Sequence, residues 1–491
     1  MTAKIKATIL IAGSILLISG TIDLSNLFNY SNQSIPTYIL KDNTPSTNPI
    51  TDEGATLGRV LFYDKKLSSN NTISCSSCHK QEFAFSDSAQ FSQGINGQTL
   101  RHSMRLINAR FADETKFFWD ERASSLEDQT TEPIKDHIEM GYSGTSGDST
   151  FQDLINKLAT TTYYPKLFNK AFGNTIISEQ RISKALAQFI RSIQSFDSKY
   201  DTGRVQVVNH STNFPNYTAN ENAGKTLFTD SFTYVVQTET IPQFGGSITA
   251  TVAKRTSGGF NCASCHRPPE FDIDPQSLNN GFDRPLNGNL ITQREFTNTR
   301  SATLRDLMNP NGTINGPMFH GGTTSNLGGG IVANYNFKEL DSTNTNLDPR
   351  LAPGGYPLYL NITNQEKNQL VDFLETLTGN DVYSNPKWSD PFDQFGNITV
   401  NDNSLSIFNP QSNPNQIKLF PNPVLNEFTL SGNLELYTFK LFNSVGQISK
   451  TFKPIGISYS IDISTFPSGI YFVKVIDIKN AQVEIHKLIK Q

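Results

Sequence analysis

The sequence predicts a mainly α-helical body in two halves, followed by a small C-terminal all-β sandwich domain. Three observations predict it. Capped stretches with apolar residues at helical spacing occur in both halves: Ser178-Glu179-Gln180 leads into Ile182, Leu186, Phe189 and Ile193, and Asn364-Gln365-Glu366 into Leu370, Phe373, Leu374 and Leu377. Beyond residue 415 the pattern turns from helical to alternating, as in Leu436-Tyr437-Thr438-Phe439-Lys440-Leu441-Phe442 and Gly469-Ile470-Tyr471-Phe472-Val473-Lys474-Val475. Two stretches rich in Asn, Ser, Thr and Pro, 23–50 and 386–414, read as linkers. The expected divisions are therefore 1–22, 23–50 (linker), 51–205 and 206–385 (the two halves), 386–414 (linker) and 415–491 (β domain).

At 491 residues the chain exceeds one ordinary core, which agrees with several domains. Residues 1–22 read as a secretory signal peptide: Lys4 and Lys6 precede an apolar run from Ala7 to Leu17, and Ser19 and Gly20 supply small residues after it. Nothing later approaches the roughly 18 apolar residues of a membrane span. A formal charge of −4 leaves no electrostatic footprint for nucleic acid, though a basic partner would be tolerated.

An exported chain with four cysteines raises disulfides first, but the spacing argues otherwise. The cysteines fall as Cys75-Ser-Ser-Cys78-His79 and Cys262-Ala-Ser-Cys265-His266, so every one sits in a C-x-x-C-H unit. In such a unit the two thiols add to the vinyl groups of a haem, and the adjacent His is delivered to the iron as proximal ligand. A thiol redox pair gains nothing from a His after both copies, and paired zinc ligands lie closer together than 75 and 262. The two halves are thus expected to be two c-type cytochrome domains packed together. Cys75, Cys78, Cys262 and Cys265 would attach two covalently bound haem c groups, ligated by His79 and His266.

Over roughly residues 52–380 the order of residues around these units resembles the bacterial di-haem cytochrome c peroxidases and their MauG-type relatives. The resemblance rests on Phe117-Phe118-Trp119-Asp120-x-Arg122, Leu126-Glu127-x-Gln129, Pro133, Glu139-Met140-Gly141, Thr303-Leu304-Arg305 and Pro317-Met318-Phe319-His320-x-Gly322. It implies that Glu139 is the acid/base carboxylate at the first haem, Gln129 a distal amide and Trp119 an aromatic residue between the haems. Arg122 and Arg305 are expected to pair with haem propionates or other carboxylates, the alternative being solvated charges. The second iron is expected to be six-coordinate and to relay electrons. Its distal ligand in the family is a Met or, in MauG-type members, a Tyr. Tyr335 is the candidate here, one position late because of an extra glycine in Gly329-Gly330-Ile331, with Met318 and Met308 as alternatives.

The resemblance further implies a Ca2+ between the domains, near Asn315 and Pro317. The expected side-chain position holds His102, a poor ligand for a hard cation. In reductively activated members a loop His closes the first iron; here that position is Ile95, which cannot ligate, so an open first iron is expected, with His102 as the residue that could close it instead. Phe420-Pro421-Asn422-Pro423 and Gly469-Ile470-Tyr471 resemble the C-terminal sorting domain of type IX secretion, which implies the type IX machinery as a partner and a secreted or surface location after passage through the periplasm. The expected activity is reduction of hydrogen peroxide with electrons from a small cytochrome or copper protein. The alternatives are a MauG-type oxidase or oxygenase and a non-enzymatic electron carrier, and a homodimer is left open.

Overall fold

The computed structural model describes residues 20–113, 115–243, 246–282, 284–285, 292–338, 340–402, 417–432, 434–478 and 483–491. The signal peptide expected at 1–22 thus lies almost wholly outside the described residues. Among those described, no helix is long and apolar enough to cross a membrane. The chain divides into two compact units, one built on residues 26–401 and the other on the chain beyond Asn401.

The first unit contains both C-x-x-C-H motifs. Its N-terminal half is organised by the helices Asp52–Tyr63, Leu126–Lys135 and Glu179–Ser192, which start at Thr51, Ser125 and Ser178; each of these side chains accepts a backbone N–H of the first turn. The first and third helices pack closely because Gly54 and Gly58 face Gln188 and the Ala185 carbonyl, where a Cβ would collide. In the second half, the Ala219–Thr229 helix meets the Asn364–Glu375 helix in the same way, Gly224 lying against the Gln369 carbonyl. Phe228, Phe271, Phe373 and Leu377 are at the centre of the core they share.

Two expectations are corrected. The stretches read as linkers are partly packed structure: Tyr30 and Trp388 are fully buried. Gln33 Nε2 and Trp388 Nε1 both donate to the Ser192 carbonyl, at 2.8 and 3.1 Å, filling an acceptor that the end of the Glu179–Ser192 helix leaves open. Residues 403–414 of the second stretch lie outside the described residues. The second half is also less helical than expected. Phe232–Gln243 and Gly246–Gly258 form an antiparallel hairpin, and the second of these strands pairs in parallel with Leu358–Tyr359. Thr238 faces Thr251 and Thr240 faces Thr249 across it, the β-branched pairing that pleated surfaces favour.

The second unit is all-β. Lys418–Phe420, Glu427–Ser431 and Ser458–Asp462 form one antiparallel sheet; Ile448–Phe452, Tyr437–Asn443, Gly469–Asp477 and Val483–Lys490 form another. Alternate residues Phe428 and Leu430, Phe439 and Leu441, and Val473 and Val475 join one buried cluster, as period-two burial requires.

Candidate active site and cofactor cavities

Each C-x-x-C-H motif opens on its own cavity. The smaller, open to solvent on one side, spans about 610 Å³ of space not filled by atoms, and Cys75, Cys78, His79, Gln129 and Glu139 line it. The larger, also open to solvent, spans about 1580 Å³ and is lined by Cys262, Cys265, His266, Trp119 and Tyr335 among others. All four cysteines are free thiols, as attachment chemistry requires. A thiol pair, an imidazole and a largely apolar wall carrying a few polar and charged groups fit a haem in both places.

In the smaller cavity the Leu126–Lys135 helix presents Gln129 and Pro133, one turn apart, while Leu186 and Ile190 complete the wall from the Glu179–Ser192 helix. Glu127 faces away and forms a bidentate pair with Arg191 at 2.6 and 2.9 Å, so it braces the two helices. Glu139 sits in the turn after the first of them, where Asp136 Oδ1 accepts the backbone N–H groups of Ile138 (2.7 Å) and Glu139 (2.9 Å). Burial pushes the Glu139 carboxyl up to about 7; the negative charge of Asp136 adds to this and Arg122 opposes it.

His79 Nδ1 donates to the Phe85 carbonyl at 3.1 Å, which leaves Nε2 as the ligating nitrogen. That carbonyl is aimed by two consecutive left-handed residues, Ala84 (φ 54°) and Phe85 (φ 61°), a conformation that costs energy in residues other than glycine. His266 differs: its Nδ1 is buried without a hydrogen-bond partner, and burial and the Arg350 charge push its pKa down to about 4.

Tyr335 follows a π-helical turn at Leu327–Val332 and lies in the short helix Ala333–Asn336. A π turn accommodates one more residue than an α turn, which absorbs the extra glycine noted in the sequence. Tyr335 lines the same cavity as Cys262 and Cys265, and burial and these nearby thiols hold its hydroxyl well above the usual phenol range. Met318 also lines this cavity, but Arg105 Nη1 faces its sulfur at 3.7 Å. Met308 does not line either cavity described here.

The chain from Thr99 to Leu106 forms a partition. Thr99 and Leu106 line the smaller cavity, while His102, Ser103, Met104 and Arg105 line the larger. Trp119 braces it, its Nε1 donating to the His102 carbonyl at 2.7 Å. His102 is fully engaged, with Nδ1 donating to the Ala89 carbonyl at 3.0 Å and Nε2 3.2 Å from Ser86 Oγ. It therefore faces away from the first cavity, which corrects its reading as a residue that could close that iron. Ile95 packs on Gly141. At the expected calcium position, Asn315 Nδ2 donates to the Asp306 carbonyl (2.9 Å) and Tyr383 Oη (2.7 Å), and no group of three or more His, Cys, Asp or Glu among the described residues could hold a metal ion.

Of the partners expected for Arg122 and Arg305, the structure gives both a protein carboxylate. Arg305 is buried in a bidentate pair with Asp201, both contacts at 2.9 Å, and is not offered to a cofactor. Arg122 stacks on Phe118 at 3.4 Å, pairs with Asp120 at 2.8 Å and lines neither cavity. Arg105, Arg300 and Arg350, which do line the larger cavity, carried no local signal in the sequence.

Residues 52–206 match the family model described as di-haem cytochrome c peroxidase, and residues 418–491 the one described as secretion system C-terminal sorting domain. The methylamine utilization protein MauG of Methylophilus methylotrophus is 26% identical over 347 residues, which are 68% of this chain and 85% of that protein. The cytochrome c551 peroxidase of Nitrosomonas europaea is 32% identical over 164 residues, covering 32% of this chain and 44% of that one. A crystal structure of a MauG-like protein associated with microbial copper homeostasis is similar with a TM-score of 0.55 and 25% identity, covering 73% of this chain and 99% of its own.

Proposed function

We propose that this oxidoreductase, whose residues 52–206 match the di-haem cytochrome c peroxidase model, reduces hydrogen peroxide to water at the cavity of Cys75, Cys78 and His79. The observation that carries this reading is the convergence of Glu139 and Gln129 on the cavity that His79 enters. A haem held by Cys75, Cys78 and His79 would supply the redox-active iron for this reduction. Glu139, with its carboxyl near 7, takes the proton from the near oxygen and returns it to the far one as the O–O bond breaks. Gln129 hydrogen-bonds the departing oxygen without competing for the proton. Two electrons from a small external redox protein and two protons convert one peroxide into two waters. Trp119, on the partition, supports passage of those electrons from the second haem to the first.

Tyr335, which lines the cavity of Cys262 and Cys265 beyond the π-helical turn, would be the distal ligand of a haem held there and would close its iron. Tyrosinate stabilises ferric iron and lowers its potential, which favours a second reading, a MauG-type oxidation of a protein or polymer outside the cell. The C-terminal domain sends the chain out through type IX secretion. Steady-state turnover of peroxide with reduced small cytochrome c, beside spectra of both haems, tests the proposal. Turnover with two c-type haems per chain is expected; two haems with no peroxide consumption would overturn it in favour of the second reading or of pure electron transfer.

A further inference from the structure

We propose that Arg105, assisted by Arg300, binds the propionate carboxylates of the haem attached at Cys262 and Cys265. The inference rests on the reading that this cavity holds a haem, and on nothing about peroxide. Three arginines line the cavity. Arg350 is already neutralised: its Nε and Nη2 donate to Asp348 at 2.8 and 2.7 Å, and its Nη1 to Asp274 at 3.0 Å. Arg105 is different. It makes no hydrogen bond to any carboxylate; Nη2 reaches the Thr303 carbonyl at a long 3.3 Å, Nη1 faces the Met318 sulfur, and Nε is buried without a partner.

Arg300 repeats the pattern. Its Nη1 faces the Met104 sulfur at 3.5 Å, its Nε is buried without a partner, and its nearest carboxylate, Asp272, stands off at 3.7 Å. A thioether is a weak acceptor, and a desolvated guanidinium without a close counter-charge is costly. A haem brings two carboxylates, and the planar guanidinium fork matches a carboxylate in two parallel hydrogen bonds. The cofactor thus supplies Arg105 with the carboxylate it lacks and Arg300 with a closer one than Asp272. Arg105 belongs to the partition and Arg300 N donates to the Trp119 carbonyl at 2.9 Å, so the carboxylates of the second haem are held by the wall that separates it from the first.

The test is made on the exported holoprotein, with two haems per chain verified by mass and pyridine haemochrome. The midpoint potential of the second haem is titrated spectroscopically between pH 5 and 8 in the wild type, Arg105→Gln, Arg105→Lys and Arg300→Gln. In the wild type the guanidinium groups keep the propionates ionised, so the potential is expected to be flat across this range. In Arg105→Gln a propionate is free to titrate: the potential should lie lower than in the wild type and fall further as pH rises. Arg105→Lys should restore most of the wild-type behaviour and Arg300→Gln should show a smaller form of the same change. A wild-type potential in Arg105→Gln, or a uniform lowering with no pH dependence, overturns the proposal. If Arg105→Gln fails to retain the second haem, Arg300→Gln decides: a potential independent of pH there refutes the shared clamp. Peroxide turnover is not read, so failure of the peroxidase proposal leaves this result interpretable.

Discussion

The two cavities start from the same five-residue motif and end with different surroundings. At the first, the chain after His79 makes two left-handed turns that bring the Phe85 carbonyl onto the imidazole, and an acid and an amide wait in the same cavity. At the second, His266 enters a short strand paired with Asp272–Ile273, its Nδ1 finds no partner, and a phenol, Tyr335, lines the cavity of the attachment motif. A hydrogen bond that makes the imidazole more basic favours higher oxidation states of the iron it binds. The difference teaches that attachment chemistry is portable, while reactivity is set by what the next few residues and the facing helix add.

The sharpest test of this contrast removes the acid from one side only. Glu139→Gln should lower peroxide turnover about 10²-fold or more while both haem spectra persist. Unchanged turnover would erase the functional difference drawn between the cavities. The pH profile gives a second measurement. Only the ionised carboxylate accepts a proton, so reaction with peroxide should rise as pH passes about 7 in the wild type. In Asp136→Asn the backbone acceptor remains but the neighbouring negative charge goes, so the rise should move to lower pH, by less than one unit.

On the other side, Tyr335→Phe should change the ferric spectrum and raise the potential of the second haem, with a several-fold effect on turnover. If the second haem is unaltered, Tyr335 is not its ligand. The resting ferric first haem should be high-spin and react with peroxide without prior reduction, and His102→Ala should leave its spin state as it was. A low-spin resting state would mean that another residue closes it. The smallest effect on chemistry is expected from deleting residues 415 onward: activity unchanged, with the protein held in the periplasm. Efficient secretion of the truncated chain would refute the role of the sorting domain.

How legible these features were depends on whether their meaning is local. Cys75 to His79 and Cys262 to His266 are contiguous because attachment and ligation need neighbouring residues, and they could be read directly. Glu139 and Gln129 are legible only through the order of residues shared with the peroxidases, since a lone Glu or Gln carries no local signature. The packed stretch around Tyr30 was misread because its Asn, Ser and Pro content resembles a loop, whereas Asp52 Oδ1 in fact accepts the Tyr30 and Ser31 backbone N–H groups and fixes it. The hairpin of residues 232–258 does carry a signal, the run of β-branched and aromatic residues in Thr233-Tyr234-Val235-Val236-Gln237-Thr238, which the helical expectation for that half leaves out. Arg105 was invisible because its importance lies in what is missing around it, which only three dimensions reveal.

The partition between Thr99 and Leu106 has a consequence for how such a protein changes over generations. Six of these eight residues line one cavity or the other within a single short stretch, so a substitution there is pleiotropic: an exchange that improves one reaction centre is judged also by its effect on the other. The halves cannot drift apart as independent modules, nor be recombined freely with halves from relatives, unless the shared wall is inherited as a block. Diversity should instead collect in parts that belong to one side alone, such as the 232–258 hairpin, and in laboratory recombination the crossover points that preserve both haems should avoid residues 99–106.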